Sequence, residues 1–228
     1  YLYWGATDTE EKYAEVMAAT GSVIRYELPD HSVVWLNSGS TLRYPTVFKK
    51  DNRNVELKGE AYFEVEADRK RPFYVNTPAG LSVYVYGTKF NVKAYPAEQN
   101  VWVTLEEGGV LLKDSKHKEY PLVPGQSAEY NRKSGRCQIS EPEDMNQISS
   151  WRSNSLNFYL TPLKEIIKVM ERQYDVHFIV RDSTLLNNRF TLSTSKVNVD
   201  DVLRDLEAVS WIRFSQTEDG VFEVLKKE

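Results

Sequence analysis

Residues 55–67, VELKGEAYFEVEA, alternate strictly between two kinds of side chain. One parity carries small or apolar residues, and the other carries mainly charged residues, among them Glu60 and Glu64. Alternation over this length predicts a β-strand that buries one face and exposes the other to water. Gly59 lies inside the run and indicates a bulge or a close approach of another backbone segment.

The glutamates of this strand raise the question of an acid–base pair. At roughly 3.3 Å per residue, Glu60 and Glu64 lie about 13 Å apart along the strand. Glycosidase carboxyl groups are closer, about 5–9.5 Å apart, and usually lie in a cleft. We therefore interpret these side chains as a solvated strand face and predict that the chain has no catalytic centre.

Composition restricts the class of protein. The chain has 228 residues, of which 41% are hydrophobic and 27% are charged, as in a soluble globular protein with one large core or two smaller ones. Its formal net charge of −4 provides no electrostatic basis for binding nucleic acid or an anionic membrane. Cys137 is the one cysteine and cannot form an internal disulfide, which leaves the redox compartment open.

Residues 21–140 read as short β-strands separated by turn residues. This pattern predicts an all-β domain with a sandwich, jelly-roll-like or solenoid-like architecture. A helix over residues 8–18, ahead of this region, is the one helical alternative before the linker. The strand-rich stretches are SVVWLNSGS (32–40), RPFYVNTPAG (71–80), LSVYVYGTKFNVKAY (81–95), VWVTLEEGGVLLK (101–113) and YPLVPGQSAEY (120–130).

The pattern changes after the polar segment EPEDMNQISS, residues 141–150, which we interpret as a linker. Residues 151–228 show strand, amphipathic helix and strand twice in succession, which predicts a small α+β domain with one sheet and both helices on one face. Thr161 followed by Pro162 predicts the start of the first helix, and Asn198 predicts the cap of the second. The apolar helix faces comprise Leu163, Ile166, Ile167 and Met170, then Val199, Val202, Leu203 and Leu206.

Several segments in order give the chain a family resemblance. It resembles the extracytoplasmic part of FecR-like anti-sigma factors, and is most similar to the Bacteroidetes type. The C-terminal part is similar to the family's distal domain, which is related to the short N-terminal domain of secretins and TonB-dependent receptors. The segments are LPDHSVVWLNSGSTLRYP (28–45), VELKGEAYFEV (55–65), RPFYV (71–75), YGTKFNV (86–92), VTLEEGGVLL (103–112), LVPGQSA (122–128) and WRSNSLNFYLTPLKEIIKVMERQYDV (151–176).

The resemblance implies a function in signal transduction. A FecR-like protein relays a signal from the signalling domain of an outer-membrane TonB-dependent transducer to a cytoplasmic ECF sigma factor. It implies the periplasmic part of a single-pass inner-membrane protein, with the sigma-binding region and the membrane helix before Tyr1. Residues 1–20 are then a membrane-proximal segment, although an ordinary frayed terminus explains their aromatic residues equally well.

One position departs from the family pattern. His31 occupies the place of a turn glycine, and histidine tolerates a left-handed backbone better than most residues. Asp30, His31 and Ser32 contain the residue types of a hydrolase triad, but consecutive residues cannot form that geometry among themselves. We therefore predict a turn at these positions.

The remaining chemistry favours a binding protein over an enzyme. The three histidines and the one cysteine have no partners at metal-ligand spacing, so we predict neither a metal nor a cofactor. Abundant aromatic residues keep a secreted carbohydrate-binding or hydrolytic β-sandwich as the alternative function. Their scattering over different strands favours packing instead, and Trp151 is expected to pack at the domain junction.

The α+β domain is the expected site of partner binding. Edge strands have unpaired N–H and C=O groups, and a partner strand can satisfy them by extending the sheet. His177 and Ile179 lie at the outward parity of DVHFIV, and Phe190 and Thr191 lie in RFTLS. We take these four residues as candidates for contact with the transducer, with a core position as the alternative for Phe190.

Overall fold

The computed structural model describes residues 11–153, 155–195 and 198–227. The β-rich part runs from residue 13 to residue 140. Its strands are β1 Tyr13–Met17, β2 Ile24–Glu27, β3 Val33–Leu36, β4 Thr41–Pro45, β5 Arg53–Val65, β6 Phe73–Asn76, β7 Ser82–Val85, β8 Thr88–Ala94, β9 Asn100–Glu107, β10 Val110–Lys113, β11 Glu119–Leu122, β12 Ser127–Asn131 and β13 Cys137–Ser140.

Strand β5 belongs to two sheets. Its first half pairs with β4 and β6 in sheet A, whose order is β1–β4–β5–β6–β7–β10–β11. Its second half pairs with β3 and β8 in sheet B, whose order is β2–β3–β5–β8–β9–β12–β13. The neighbours are antiparallel except for β5 and β6, which are parallel.

Gly59 lies where β5 passes from one sheet to the other. Its φ of 114° lies in a region that residues with a side chain rarely adopt. A Cβ added there would lie 2.4 Å from Ser40 Oγ. The same hydroxyl accepts a hydrogen bond from the Glu60 N–H at 2.8 Å. The predicted close approach is confirmed, and it joins β5 to the turn before β4.

The inner faces of both sheets form one buried cluster. Phe63 of sheet B stacks on Phe90 with ring centroids 5.1 Å apart, and it meets Phe73 of sheet A edge-on at 6.1 Å. The alternation in β5 is confirmed, because Val55 and Leu57 are buried in this cluster. Residues 13–140 therefore form a nearly closed β-sandwich with a single core.

The helix considered for residues 8–18 is wrong over the part that the structure describes. Residues 13–17 form β1, which pairs antiparallel with β4 at the edge of sheet A. Residues 8–10 lie outside the described residues. Pairing with the backbone of β4 decides this conformation. A local helical pattern contains no information about a strand that comes later in the chain.

The C-terminal part alternates strands and helices as predicted. A single helical turn, α1, covers Asn146–Ser149 within the proposed linker, and a 3₁₀ helix follows at Ser150–Ser153. The further elements are β14 Ser155–Pro162, α2 Leu163–Tyr174, β15 His177–Val180, a 3₁₀ helix Ser183–Asn187, β16 Arg189–Ser195, α3 Val199–Ala208, β17 Ile212–Glu218 and β18 Val221–Lys226.

The expectation of one small sheet in this domain is wrong. Strands β14 and β16 form an antiparallel pair, while β15, β18 and β17 form a separate sheet in that order. The two strands of each strand–helix–strand unit thus belong to different sheets. Helix α2 contacts β14 and β15, and α3 contacts β16 and β17. One buried cluster unites all these elements, and it is separate from the core of the sandwich.

The helix starts are predicted to within one residue. Asn198 caps α3 as expected, since its side-chain oxygen accepts the Asp201 N–H at 2.8 Å. For α2 the expected Thr161 cap is wrong, because Pro162 takes the cap position and the helix begins at Leu163. The extension of β14 to Pro162 explains this shift, since pairing with β16 keeps Thr161 extended.

Gly59→Ala is expected to destabilise the sandwich by about 2 kcal/mol or more, because the methyl group clashes with Ser40 and the backbone is strained. Gly39→Ala is the matched control, since Gly39 also has a positive φ, of 69°, but an added Cβ meets nothing within 4 Å. Urea unfolding of both variants measures the difference. Equal losses of stability in the two variants would show that the approach to Ser40 carries no energetic weight.

Candidate functional site

The turn at residues 30–32 has the predicted backbone but does not form a triad. His31 adopts a left-handed φ of 69°, and its exposed ring pairs with Glu27 at 2.8 Å. Ser32 turns inward and donates its hydroxyl hydrogen to Asp30 at 2.8 Å. The histidine and the serine are therefore directed to different partners, which confirms the prediction of a turn.

Asp30 belongs to a buried ion pair that the sequence reasoning missed. Arg53 Nη1 donates to Asp30 Oδ2 at 2.7 Å, and the two side chains are 1% and 2% exposed. The guanidinium also donates to the backbone oxygens of Glu66 and Arg71, both at 2.9 Å. Ser32 Oγ accepts the Glu66 N–H at 3.0 Å and completes the network. A signal was present in the sequence, because Arg53 shares the apolar parity of β5.

Glu60 is not simply a solvated side chain. It is half-buried, and its carboxylate accepts hydrogen bonds from the amide groups of Asn37 and Asn91, at 2.9 and 3.0 Å. Glu64 lies farther along the same face, 3.9 Å from Arg152. Both carboxylates therefore have structural partners on the outer face of sheet B.

An open groove lies beside the turn at His31 and has a volume of about 360 Å³. Its walls combine polar and charged side chains with apolar ones in similar measure. Among the described residues, no group of three or more His, Cys, Asp or Glu side chains is arranged to hold a metal ion. The groove is lined by His31, Val33, Glu64, Val65, Glu66, Ala67, Gly87, Thr88, Lys89 and Glu107.

A second group of interacting side chains joins the two domains, and its first part surrounds Arg152. The Arg152 guanidinium lies 3.6 Å from the ring centroid of Tyr62 and 5.2 Å from that of Trp35, on the outer face of sheet B. These are distances of cation–π contacts. Trp151, the preceding residue, is buried.

The second part of this interface is centred on Arg172, in the last turn of α2. Its guanidinium donates to Glu98 at 2.8 Å and lies 4.0 Å from the ring centroid of Tyr95. Lys93 approaches the other oxygen of Glu98 at 3.2 Å. Burial, and next the charge of Glu60, raise the pKa of Tyr95, so the ring is a neutral phenol at neutral pH.

Backbone groups connect the same elements. The carbonyl oxygen of Arg172 accepts the Ser38 hydroxyl at 2.5 Å and the Gly21 N–H at 3.3 Å. The Gln173 side chain donates to the carbonyl oxygen of Gly21 at 3.3 Å. The end of α2 therefore docks on the turns of the β-sandwich through both side-chain and main-chain contacts.

The pKa of a carboxyl group on α2 is also affected by charges on sheet B. Burial raises the pKa of Glu165, but the hydrogen bond from Lys168 and the charges of Lys168 and Lys93 bring it below its ordinary value. Burial raises the pKa of Glu129 on β12, and the charge of Glu165 adds to that rise. Because Lys93 and Glu129 belong to the sandwich, α2 lies close to its outer face.

The four residues predicted for partner binding divide into exposed and buried positions. His177 and Ile179 are exposed on β15, which pairs with β18 and otherwise forms the edge of its sheet within the described residues. Thr191 is exposed on β16, and its hydroxyl accepts the Leu160 N–H at 3.1 Å. Phe190 is 4% exposed and packs in the core, so its side chain is not available at the surface.

A bulge in β14 adds exposed apolar side chains that the sequence reasoning missed. The register between β14 and β16 shifts after Phe158, and Leu160 adopts a positive φ of 46°. Tyr159 and Leu160 are both more than two-fifths exposed. The Leu160 carbonyl accepts Arg189 Nη1 at 2.7 Å. A left-handed leucine is rare, and no local sequence signal predicts one.

Comparisons with known proteins identify the class. The family model "FecR protein" matches residues 14–111, and the model "FecR, C-terminal" matches residues 155–223. Crystal structures of a candidate anti-sigma factor from Parabacteroides distasonis, at 2.50 and 1.65 Å resolution, superpose with a TM-score of 0.85. Both are 29% identical to the chain, and the superpositions cover 95% and 94% of it and 100% of the other chain. A search of curated proteins finds no match.

The fold and the matched models together define a regulatory, non-enzymatic class of protein. The chain belongs to the family of FecR-like anti-sigma factors, because both family models match in order and cover about three-quarters of it. Among the helices of the described residues, none combines the length and the apolar character that a membrane crossing requires.

Arg53→Met is expected to cost about 3–5 kcal/mol of stability, because it leaves the buried Asp30 carboxylate without its cation. Lys89→Met is the control, since its ion pair with Glu107 is exposed and is worth about 0–1 kcal/mol. Denaturant unfolding measures both, and the double variant Asp30→Asn/Arg53→Met should recover part of the loss. A loss below about 1 kcal/mol in Arg53→Met would contradict this account.

Proposed function

We propose that this chain is the periplasmic sensor part of an anti-sigma factor that relays a signal from an outer-membrane TonB-dependent transducer to a cytoplasmic ECF sigma factor. The match of both FecR models, in order along one chain, is the observation that carries this proposal. The sigma factor would bind a region N-terminal to these residues, and a membrane helix would connect the two sides.

The proposal assigns partner binding to the α+β domain. Strand β15 offers an edge of the three-stranded sheet, and Ile179 is 38% exposed there beside His177. A strand of the transducer signalling domain would pair with this edge through main-chain hydrogen bonds, and exposed side chains would fix its register. Thr191 and the bulge at Leu160 supply a second edge, on the β14–β16 pair.

A non-enzymatic function agrees with the side-chain chemistry. Three buried or half-buried carboxylates have structural partners: Asp30 pairs with Arg53, Glu60 accepts hydrogen bonds from two amide groups, and Glu98 pairs with Arg172. The groove beside His31 is open to solvent. These observations support a protein that transmits a signal through contacts between its domains, and not one that converts a substrate.

Ile179→Lys is expected to weaken binding of a purified transducer signalling domain by about tenfold or more, because a charge replaces an apolar contact at the edge strand. The signalling domain of an outer-membrane TonB-dependent transducer from the same organism is the partner to test, with calorimetry as the measurement. Ile139→Lys is the matched control, since Ile139 is 39% exposed on β13, an edge strand of the sandwich.

Two outcomes would contradict different parts of the proposal. Folded Ile179→Lys that binds as tightly as the parent would exclude the β15 edge, and Thr191→Pro would then test the β16 edge. Failure of the parent chain to bind any transducer signalling domain would contradict the function itself.

A further inference from the structure

We propose that the β-sandwich has a guanidinium pocket, formed by Glu98, Tyr95 and Ser38, which Arg172 occupies. Occupation by Arg172 holds the end of α2 on the sandwich, and departure of Arg172 frees that end and shifts the balance toward a released α+β domain. The pocket is a binding site for an arginine side chain and is distinct from the edge strands proposed for the transducer.

The pocket has the chemistry that a guanidinium ion requires. Glu98 is 7% exposed as a residue and supplies the carboxylate, while the Tyr95 ring supplies an aromatic face at 4.0 Å. A planar guanidinium can pair with the carboxylate and lie flat on the ring at the same time, whereas a lysine ammonium has no planar face to stack. The pocket therefore favours arginine over lysine.

The ring is held in place from the side of the sandwich. The Tyr95 hydroxyl donates to the backbone oxygen of Ser38 at 2.9 Å and lies 3.5 Å from Ser40 Oγ. Both contacts are made within the β domain and do not depend on Arg172. The aromatic wall of the pocket is therefore preorganised, which lowers the cost of binding.

The backbone at the end of α2 is bound beside the same pocket. The last carbonyls of a helix have no partner within the helix, and Arg172 belongs to the last turn of α2. The Ser38 hydroxyl and the Gly21 N–H supply donors to the Arg172 oxygen. The pocket thus binds an arginine at a helix end, with its side chain and its carbonyl recognised together.

Charge compensation makes release of Arg172 inexpensive. Glu98 keeps an ion pair with Lys93 at 3.2 Å when Arg172 leaves, so no buried carboxylate is left alone. Removing one partner of a buried pair is costly mainly because the other charge stays uncompensated. The contact between the domains can therefore open while each domain keeps its own apolar core.

The arrangement of the domains recurs in the P. distasonis structures. The sandwich alone is about three-fifths of the chain, whereas the superposition covers 95% of it at a TM-score of 0.85. Such agreement requires both domains to superpose at once. The docked state is therefore a defined arrangement and not a chance contact.

Arg172→Ala in the full chain tests the pocket. We expect a larger radius of gyration in solution scattering, with unchanged hydrogen exchange in the β5 core. Arg204→Ala on α3, whose side chain pairs with Asp201 of its own helix, should change neither quantity. Adding methylguanidinium to Arg172→Ala should restore the radius of gyration of the parent chain, and methylammonium at the same concentration should not.

Gly21→Ala provides a second variant that keeps Arg172. A Cβ at Gly21 would lie 3.1 Å from the Gln173 carbonyl oxygen across the interface, and the end of α2 would have to move back by a few tenths of an ångström, so we expect weaker docking here as well. Gly39→Ala imposes a similar backbone strain without that contact and should leave the domains docked.

Docking unchanged in both Arg172→Ala and Gly21→Ala would overturn the proposal. Equal rescue by methylguanidinium and methylammonium, or no rescue by either, would overturn the pocket's selectivity for guanidinium. If the circular dichroism of Arg172→Ala showed a loss of helix, the comparison of Gly21→Ala with Gly39→Ala would decide the result.

Discussion

The passage of β5 from one sheet to the other is the constraint on which the sandwich depends. A strand can serve two sheets only if its backbone bends, and the bend at Gly59 brings it against Ser40 without room for a Cβ. The two halves of β5 then carry different contacts. Arg53 near one end enters the buried network, and Tyr62 near the other end meets Arg152 of the second domain.

Two buried carboxylates differ in the number of cations that compensate their charge. That difference distinguishes a permanent contact from one that can open. Asp30 depends on Arg53, and the pair is enclosed within the sandwich, where removing either partner leaves a charge alone. Glu98 lies between Lys93 of the sandwich and Arg172 of the α+β domain. The first arrangement stabilises one fold, whereas the second tolerates the loss of one partner.

The interface between the domains gives a physical basis for transmission in a regulatory protein of the FecR family. Its described contacts are ion pairs, cation–π contacts and hydrogen bonds, around Arg152 and Arg172, while the apolar cores stay separate. Polar interfaces of this kind allow domains to move relative to each other. A partner that favours one arrangement of the domains would shift the balance between docked and released states by its difference in affinity.

The sequence by itself determined the elements whose signals are local. The alternation of residues 55–67, the cap at Asn198 and the turn at His31 were all predictable, because each depends on a few neighbouring residues. Tertiary structure decided which strands pair and which charges meet, including the division of the α+β strands into two sheets and the contact of Arg172 with Glu98. These contacts join residues that are far apart in the chain. A local sequence pattern contains no information about which distant residues folding brings together.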